Sequence, residues 1–211
     1  MKVKQFTFNP AQENTYVAYD ETRLCVIIDA GCFFPEEEKA LSLFIEKENL
    51  KPVRLLNTHG HFDHLLGVNY VQKTYNLSYE GNVADNQWIE QLPARAKSFG
   101  FTDIAPVETM PKPLAGGDVI TFGNSRLDVL HVPGHSAGSL VYYSEADKIL
   151  FAGDVLFRGS IGRTDLPQGD YATLIRNIQQ KLLTLPPETV VYTGHGEPTT
   201  IGWEKENNPF L

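Results

Sequence analysis

Stretches rich in β-branched and aromatic residues open the chain: KVKQFTF over 2–8, NTYVAY over 14–19 and RLCVIID over 23–29, separated by polar turns around Asn9-Pro10 and Asp20-Glu21. Such runs predict three strands in a meander, because branched and aromatic side chains suit a pleated surface while Asn, Pro and Asp suit the turns. The rhythm then changes. Pro35 opens PEEEKALSLFIEKEN, with acids in the first turn and Leu41, Phe44 and Ile45 at helical spacing, before VRLLN over 53–57 resumes strand character. These pieces read as a β-α-β unit.

Two more helical regions follow, from Leu65 to Tyr75 and from Asn86 to Phe99, and then the strand-like runs DVITF, RLDVLHV, SLVYYS and KILFAG between 118 and 153. YATLIRNIQQKLLTL predicts a last helix and TVVYTG a last strand. Helices with apolar faces to cover, distributed over both halves of a strand-rich chain, imply an α/β architecture in which sheets pack together with helices outside. No linker, low-complexity tract or repeat interrupts the pattern, so residues 1–211 read as one domain.

Composition sharpens this picture. A chain of 211 residues, 42% hydrophobic, is long enough for one sizeable core and short for two. Its formal charge of -8 and pI near 5.2 give no broad attraction for nucleic acid or an anionic membrane, and leave only a local basic pocket to draw an anion in. The start, MKVKQFTF, lacks the order of a secretory signal, and no apolar run approaches the roughly 18 residues that span a bilayer. For a complete chain the expectation is a cytoplasmic protein with neither nucleic acid nor membrane as partner. Cys25 and Cys32 are too few for a disulfide framework and read as buried thiols.

The candidate chemistry is concentrated in Thr58 to His64, THGHFDH, directly after VRLLN. His59, His61, Asp63 and His64 are denser than packing requires. In an extended loop, residues two apart project to one side, so His59 and His61 can grip one ion while Asp63 and His64 address another place. Three further candidates stand beside glycine at strand ends: His135 in VPGHSAGS, Asp154 in FAGDVLF and His195 in YTGHGEP. Glycine permits the close backbone approach that turns a ligand inward.

The HxHxDH loop, the later His135, Asp154 and His195, and their order resemble the metallo-β-lactamase fold superfamily, over nearly the whole chain. GSIGRTDLPQGD and the GHGEPTT ending are most similar to small single-domain proteins related to type II glyoxalases. The resemblance implies a four-layer αβ/βα sandwich with two divalent metal ions between the sheets, zinc first, with iron or manganese as alternatives. It implies that His59, His61 and His135 hold one ion, that Asp63, His64 and His195 hold the other, and that Asp154 bridges them. A metal-bridging hydroxide would then attack a small-molecule substrate, an anionic thioester such as an S-acylglutathione, with Asp63 also aligning the hydroxide. Two divalent ions carry more charge than Asp63, Asp154 and one hydroxide cancel, which suits an oxygen that gains negative charge.

The same resemblance sets bounds. β-Lactamases usually present a cysteine where Asp154 stands, nucleases of the family need an inserted domain, and full-length glyoxalases add a C-terminal helical domain for which the sixteen residues after His195 leave no room. A persulfide dioxygenase, with one iron on two histidines and an aspartate, is the rival reading, and lactones or other esters are alternative substrates. A metal-binding protein without catalysis is a third. Asp29, ending RLCVIID, is either an acceptor for a ligand histidine's ring N–H or a turn residue, and its place in the family pattern favours the former. Arg163 either clamps a substrate carboxylate or pairs with Asp165 or Asp170; the clamp is favoured because glyoxalases carry a basic residue there. Phe62, Phe157 and Ile161 are candidates for an apolar wall. His131 reads as packed near the site rather than as a ligand.

Overall fold

In the computed structural model, which describes residues 1–211, the opening runs form the meander. Strands β1 (Lys2–Phe8), β2 (Glu13–Tyr19) and β3 (Leu24–Ile28) pair antiparallel in sequence. Helix α1 (Pro35–Lys47) then crosses to β4 (Lys51–Leu56), parallel to β3, as the β-α-β pattern requires. Glu36, Glu37 and Glu38 complement the positive start of α1, and Glu37 reaches back to accept the N–H groups of Phe33, Phe34 and Asn9. Helix α2 (Val68–Tyr75) ends on Asn76 in the left-handed region. Short parallel strands β5 (Tyr79–Gly81) and β6 (Lys112–Pro113) complete a six-stranded sheet.

The second sheet, also of six strands, takes β7 (Val119–Phe122), β8 (Ser125–His131), β9 (Leu140–Ser144) and β10 (Ile149–Gly153), and adds β13 (Val190–Thr193) beside β10 and β14 (Thr199–Thr200) beside β13. A two-stranded ribbon, β11 (Leu156–Phe157) with β12 (Ser160–Ile161), leads away from β10.

Alternation along the strands builds four layers. Val17, Cys25, Ile27 and Leu55 face the first helical layer, with Leu41, Ile45, Val68 and Val71, whereas their neighbours Ala18, Val26, Ile28 and Leu56 face the second sheet. On that sheet Leu140, Tyr142, Ile149 and Phe151 close the space between the sheets, and Val141, Leu150 and Ala152 point outward to Leu174, Ile178 and Leu182. Central strands are therefore buried on both faces, which is why they read as continuous apolar runs. This is the expected αβ/βα sandwich.

Local departures have local causes. The region expected to be one helix over 86–99 is two, α3 (Asn86–Glu90) and α4 (Leu92–Ser98), because Pro93 has no N–H to continue the first and suits the opening turn of the second. The last long helix begins as α5 (Tyr171–Asn177), capped by the Asp170 side chain, and runs on through a wide π-helical turn at Ile178–Leu182. A short helix α6 (Ile201–Asn207), capped by Thr200, follows β14 in a segment whose pattern predicts no element. No helix is long and apolar enough to cross a membrane.

Candidate metal centre

The THGHFDH segment leaves β4 at the edge shared by both sheets and is clamped from each side. Tyr142 donates its hydroxyl to the Asn57 carbonyl at 2.6 Å, Leu140 N–H reaches the Thr58 carbonyl, and the Asn57 amide holds the His64 carbonyl. The chain bends at Thr58, is extended at His61 and then passes through a 3₁₀ turn, Phe62–His64. Asp63 and His64 are therefore separated from the first two histidines by this turn, and not by strand-like alternation as the spacing suggests. The outcome for the side chains is two groups.

In the first, His59 Nε2, His61 Nδ1 and His135 Nε2 lie 2.9 to 3.3 Å apart, with Asp154 Oδ2 at 3.6 Å from His135 and 4.0 Å from His59. In the second, Asp63 Oδ2 lies 3.1 Å from His195 Nε2 and 3.7 Å from His64 Nε2. Asp154 stands between them, with Oδ1 at 3.4 Å from His64 Nε2 and Oδ2 at 3.6 Å from His195 Nε2. All seven ligands expected from the sequence thus meet at one place.

Ring orientation shows what this arrangement accommodates. His64 Nδ1 faces Asp29 Oδ2 at 3.1 Å, His135 Nδ1 faces the Arg163 carbonyl at 2.8 Å, His195 Nδ1 faces the Gln12 carbonyl at 3.1 Å, and His59 Nδ1 faces Thr58 Oγ1 at 3.0 Å. Thr58 gives its own proton to Asp29 at 2.6 Å, so its oxygen is free to accept. In the neutral form that a metal ion requires, each of these four rings would donate Nδ1–H outward and direct an Nε2 lone pair inward. Inside, His64 Nε2 and Asp154 Oδ1 are buried with no hydrogen-bond partner. Inward lone pairs and orphaned buried acceptors need a cation to satisfy them, and a nitrogen and carboxylate set of this size fits a divalent transition metal.

Without metal, charge distributes unevenly. Burial, reinforced by neighbouring imidazoles, holds His59 far below the usual histidine range and His61 at about 3. For His64 burial acts the same way, but Asp63, Asp154 and Asp29 outweigh it and raise its pKa well above normal. His195 also rises, its burial outweighed by the hydrogen bond with Asp63 and by Asp154. Burial alone would protonate Asp63 and Asp154, yet His64 chiefly, with His195, keeps both below the ordinary carboxylate range.

Several supports were not legible in advance. Asp85, buried beside α3, accepts Gly60 N–H at 2.8 Å, Gly138 N–H at 2.7 Å and the Ser136 hydroxyl at 2.7 Å, tying the His59 loop to the His135 loop. Its only signal was the sequence NVADN, which reads as a helix start. Glu13 is fully buried with Oε1 3.9 Å from His64 Nδ1, unpartnered, and burial pushes its pKa well up. Asp29 takes the left-handed backbone (φ 51) and its carboxylate accepts both Thr58 N–H and His64 Nδ1–H, so it is a turn residue and an acceptor at once. Glycine is required at 194, where a Cβ would stand 2.0 Å from Asp154 Oδ1.

A cavity of about 230 Å³ opens over the cage, walled by Phe62, Trp88, Phe99 and Leu166 with Arg95 and Arg163. Phe157 and Ile161 are not in this wall; Ile161 packs outward, against the core over α5. The Arg163 guanidinium makes a two-pronged pair with Asp165 through Nε and Nη2, at 2.8 and 2.7 Å, so its charge is already offset by a carboxylate of this chain. His131 donates Nε2–H to the Ala137 carbonyl and belongs to neither ligand group.

A buried cage of this kind, on the shared edge of two sheets in an αβ/βα sandwich, defines a class of metal-dependent hydrolase folds. The family model described as "Metallo-beta-lactamase superfamily" matches residues 8–195, and the chain belongs to that family. It is 36% identical to hydroxyacylglutathione hydrolase GloC of Haemophilus influenzae, covering 100% of this chain and 98% of that protein. Among solved structures it resembles BLEG-1 B3 metallo-beta-lactamase, at 38% identity with a TM-score of 0.91 over 100% of this chain and 99% of that one. TTHA1623 in a di-iron-bound form is similar at 38% identity and a TM-score of 0.87, over 99% and 100%.

Asp85→Ala strips two buried N–H groups and a hydroxyl of their acceptor. A loss of about 2 to 4 kcal/mol in unfolding free energy is expected from unsatisfied donors, with metal affinity falling ~10 to 100-fold, read by denaturant titration and competition with a chelator. A variant with the wild-type midpoint and affinity would show that Asp85 does not hold the ligand loops.

Proposed function

We propose that the chain is a dinuclear metallo-hydrolase acting on an anionic thioester of the S-acylglutathione kind. The observation that carries this reading is the position of Asp154 between the two groups, with Oδ2 at 3.6 Å from both His135 and His195 and Oδ1 at 3.4 Å from His64. His59, His61 and His135 would hold one ion, Asp63, His64 and His195 the other, and Asp154 both. The donor set suits zinc, iron or manganese, and the di-iron form of TTHA1623 supports iron beside zinc. Divalent ions held by these residues would supply Lewis acidity, which lowers the pKa of water towards neutrality and polarises a scissile carbonyl.

The chain's own groups do the rest. Asp63, whose carboxylate lies beside His195 and His64, accepts a hydrogen bond from the attacking water at a carboxylate oxygen and aligns it. Asp29, Arg163 and Gln12, through their oxygens, fix the ring orientation of His64, His135 and His195. Phe62, Trp88, Phe99 and Leu166 seat the substrate and exclude bulk water. No side-chain nucleophile competes: burial pushes Cys25 to about 12 and raises Cys32 as well, and Ser136 is bound to Asp85. The likeness to GloC supports the thioester. The likeness to BLEG-1 favours a second reading, cleavage of a β-lactam amide by the same residues.

The test is an assay of metal-loaded protein on S-lactoylglutathione, a chromogenic cephalosporin, and glutathione persulfide with oxygen uptake. Thioester cleavage with two metals per chain is expected; cleavage of the cephalosporin alone, or oxygen uptake with one iron, would replace this reading.

Two further outcomes follow from the cage. Asp154→Ala should lose metal from both groups and reduce turnover by more than the ~10 to 100-fold typical of outer partners, whereas His195→Ala should deplete one ion; a fully loaded, fully active Asp154→Ala protein would refute the bridge. Acid should also separate the groups. His59 and His61 are already neutral, so a metal displaces no proton from them, but His64 and His195 have raised pKa values and must lose protons to bind. As pH falls, the metal content of dialysed samples should pass through one per chain before reaching none, and simultaneous loss would contradict the assignment.

A further inference from the structure

We propose that Arg95 is the anion-recognition residue of this cavity, and that the substrate carries a carboxylate several bonds from the carbonyl that is cleaved. The inference rests on the hydrolase reading above and adds what selects the substrate. Arg95 lies on α4, in the last turn, and lines the same cavity as His61, Asp63, His135, Asp154 and His195. Its guanidinium lies over the Trp88 ring at 4.5 Å, and Nε donates to Gln91 Oε1 at 3.2 Å. No carboxylate engages it. The other cavity arginine, Arg163, is already held in two-pronged fashion by Asp165.

The stack on Trp88 does two things. It removes rotational freedom from the guanidinium before a ligand arrives, and it leaves the terminal N–H groups unspent, so their planar fork remains to meet a carboxylate. Trp88 in turn packs edge-on against His61, with centroids 4.5 Å apart at 87°. The cation is thus one indole ring removed from the metal ligands. A carboxylate adjacent to the scissile carbonyl is too close to use it; one at the far end of an extended thiol portion has the reach. Phe99, 56% exposed and stacked on Phe62 at 4.9 Å, offers the apolar surface along which such a portion would lie. Because the whole chain carries a formal charge of -8, attraction for an anion has to be local, and Arg95 is the uncommitted cation of the wall.

Trp88 also reports on the site. The chain has two tryptophans, so Trp203→Phe leaves Trp88 as the sole indole. In that background, metal-loaded Arg95→Gln, Arg95→Lys and Arg163→Gln proteins are compared by kcat/KM on S-lactoylglutathione and on the neutral S-acetyl-N-acetylcysteamine, and by Trp88 fluorescence titrated with glutathione. Arg95→Gln should lose ~10 to 100-fold on the glutathione thioester, mainly in KM, and at least ten times more than on the neutral thioester. Lysine should recover part of the loss, Arg163→Gln should discriminate less, and metal content and Tm should hold. Equal losses on both thioesters, or discrimination confined to Arg163→Gln, would overturn the proposal. If neither thioester is cleaved, the hydrolase reading fails on its own and fluorescence decides: a glutathione response abolished by Arg95→Gln supports the anion site, and one unchanged by it, or absent in the parent, overturns it.

Discussion

Packing five imidazoles and two carboxylates against one another is costly unless the ring N–H groups turned away from the centre find acceptors. In this fold four histidines meet that requirement with Asp29, Thr58, Gln12 and the Arg163 carbonyl, contributed by segments far apart in sequence. The inward lone pairs follow from the outward donors. The glycines at 162 and 194 serve that condition, since a Cβ there would press on His135 Nδ1 and Asp154 Oδ1. His61 is the exception, with Nδ1 inward, Nε2 unpartnered and Trp88 against its ring.

That constraint also explains how much was legible in the sequence. The strands around the cage are buried on both faces, so their apolar runs were plain, and the meander and the β-α-β unit followed from local pattern. The ligands themselves were visible because seven histidines and aspartates in glycine-flanked loops have no packing explanation. Their supports were not. Asp85 acts through backbone amides of Gly60 and Gly138, twenty-five and fifty-three residues away, and nothing in NVADN announces a partner at that distance. Glu13 sits in a strand where alternation would place it no differently from its neighbours. The turn at Phe62–His64 was hidden because extended and turning loops share the same residue types, and Arg95 because nothing in the sequence of α4 says whether it or Lys97 faces a cavity.

The cavity joins two kinds of recognition. The cage presents lone pairs and carboxylates that call for cations, and the wall presents aromatic rings and guanidinium groups that suit an extended anionic ligand. An acidic chain with a basic pocket can hold such a ligand without attracting polyanions over its whole surface. Membership of the metallo-beta-lactamase superfamily sets the shared chemistry, and in the reading proposed above the wall residues would distinguish one substrate from another.

The claim that two cation sites share Asp154 is tested most directly by diffraction from crystals grown with zinc, recorded on both sides of its absorption edge. Two anomalous peaks are predicted, one among His59, His61 and His135 and one among Asp63, His64 and His195, with Asp154 touching both. A single peak, or a second peak displaced to Glu13 and Asp29 on the far side of His64, would contradict it.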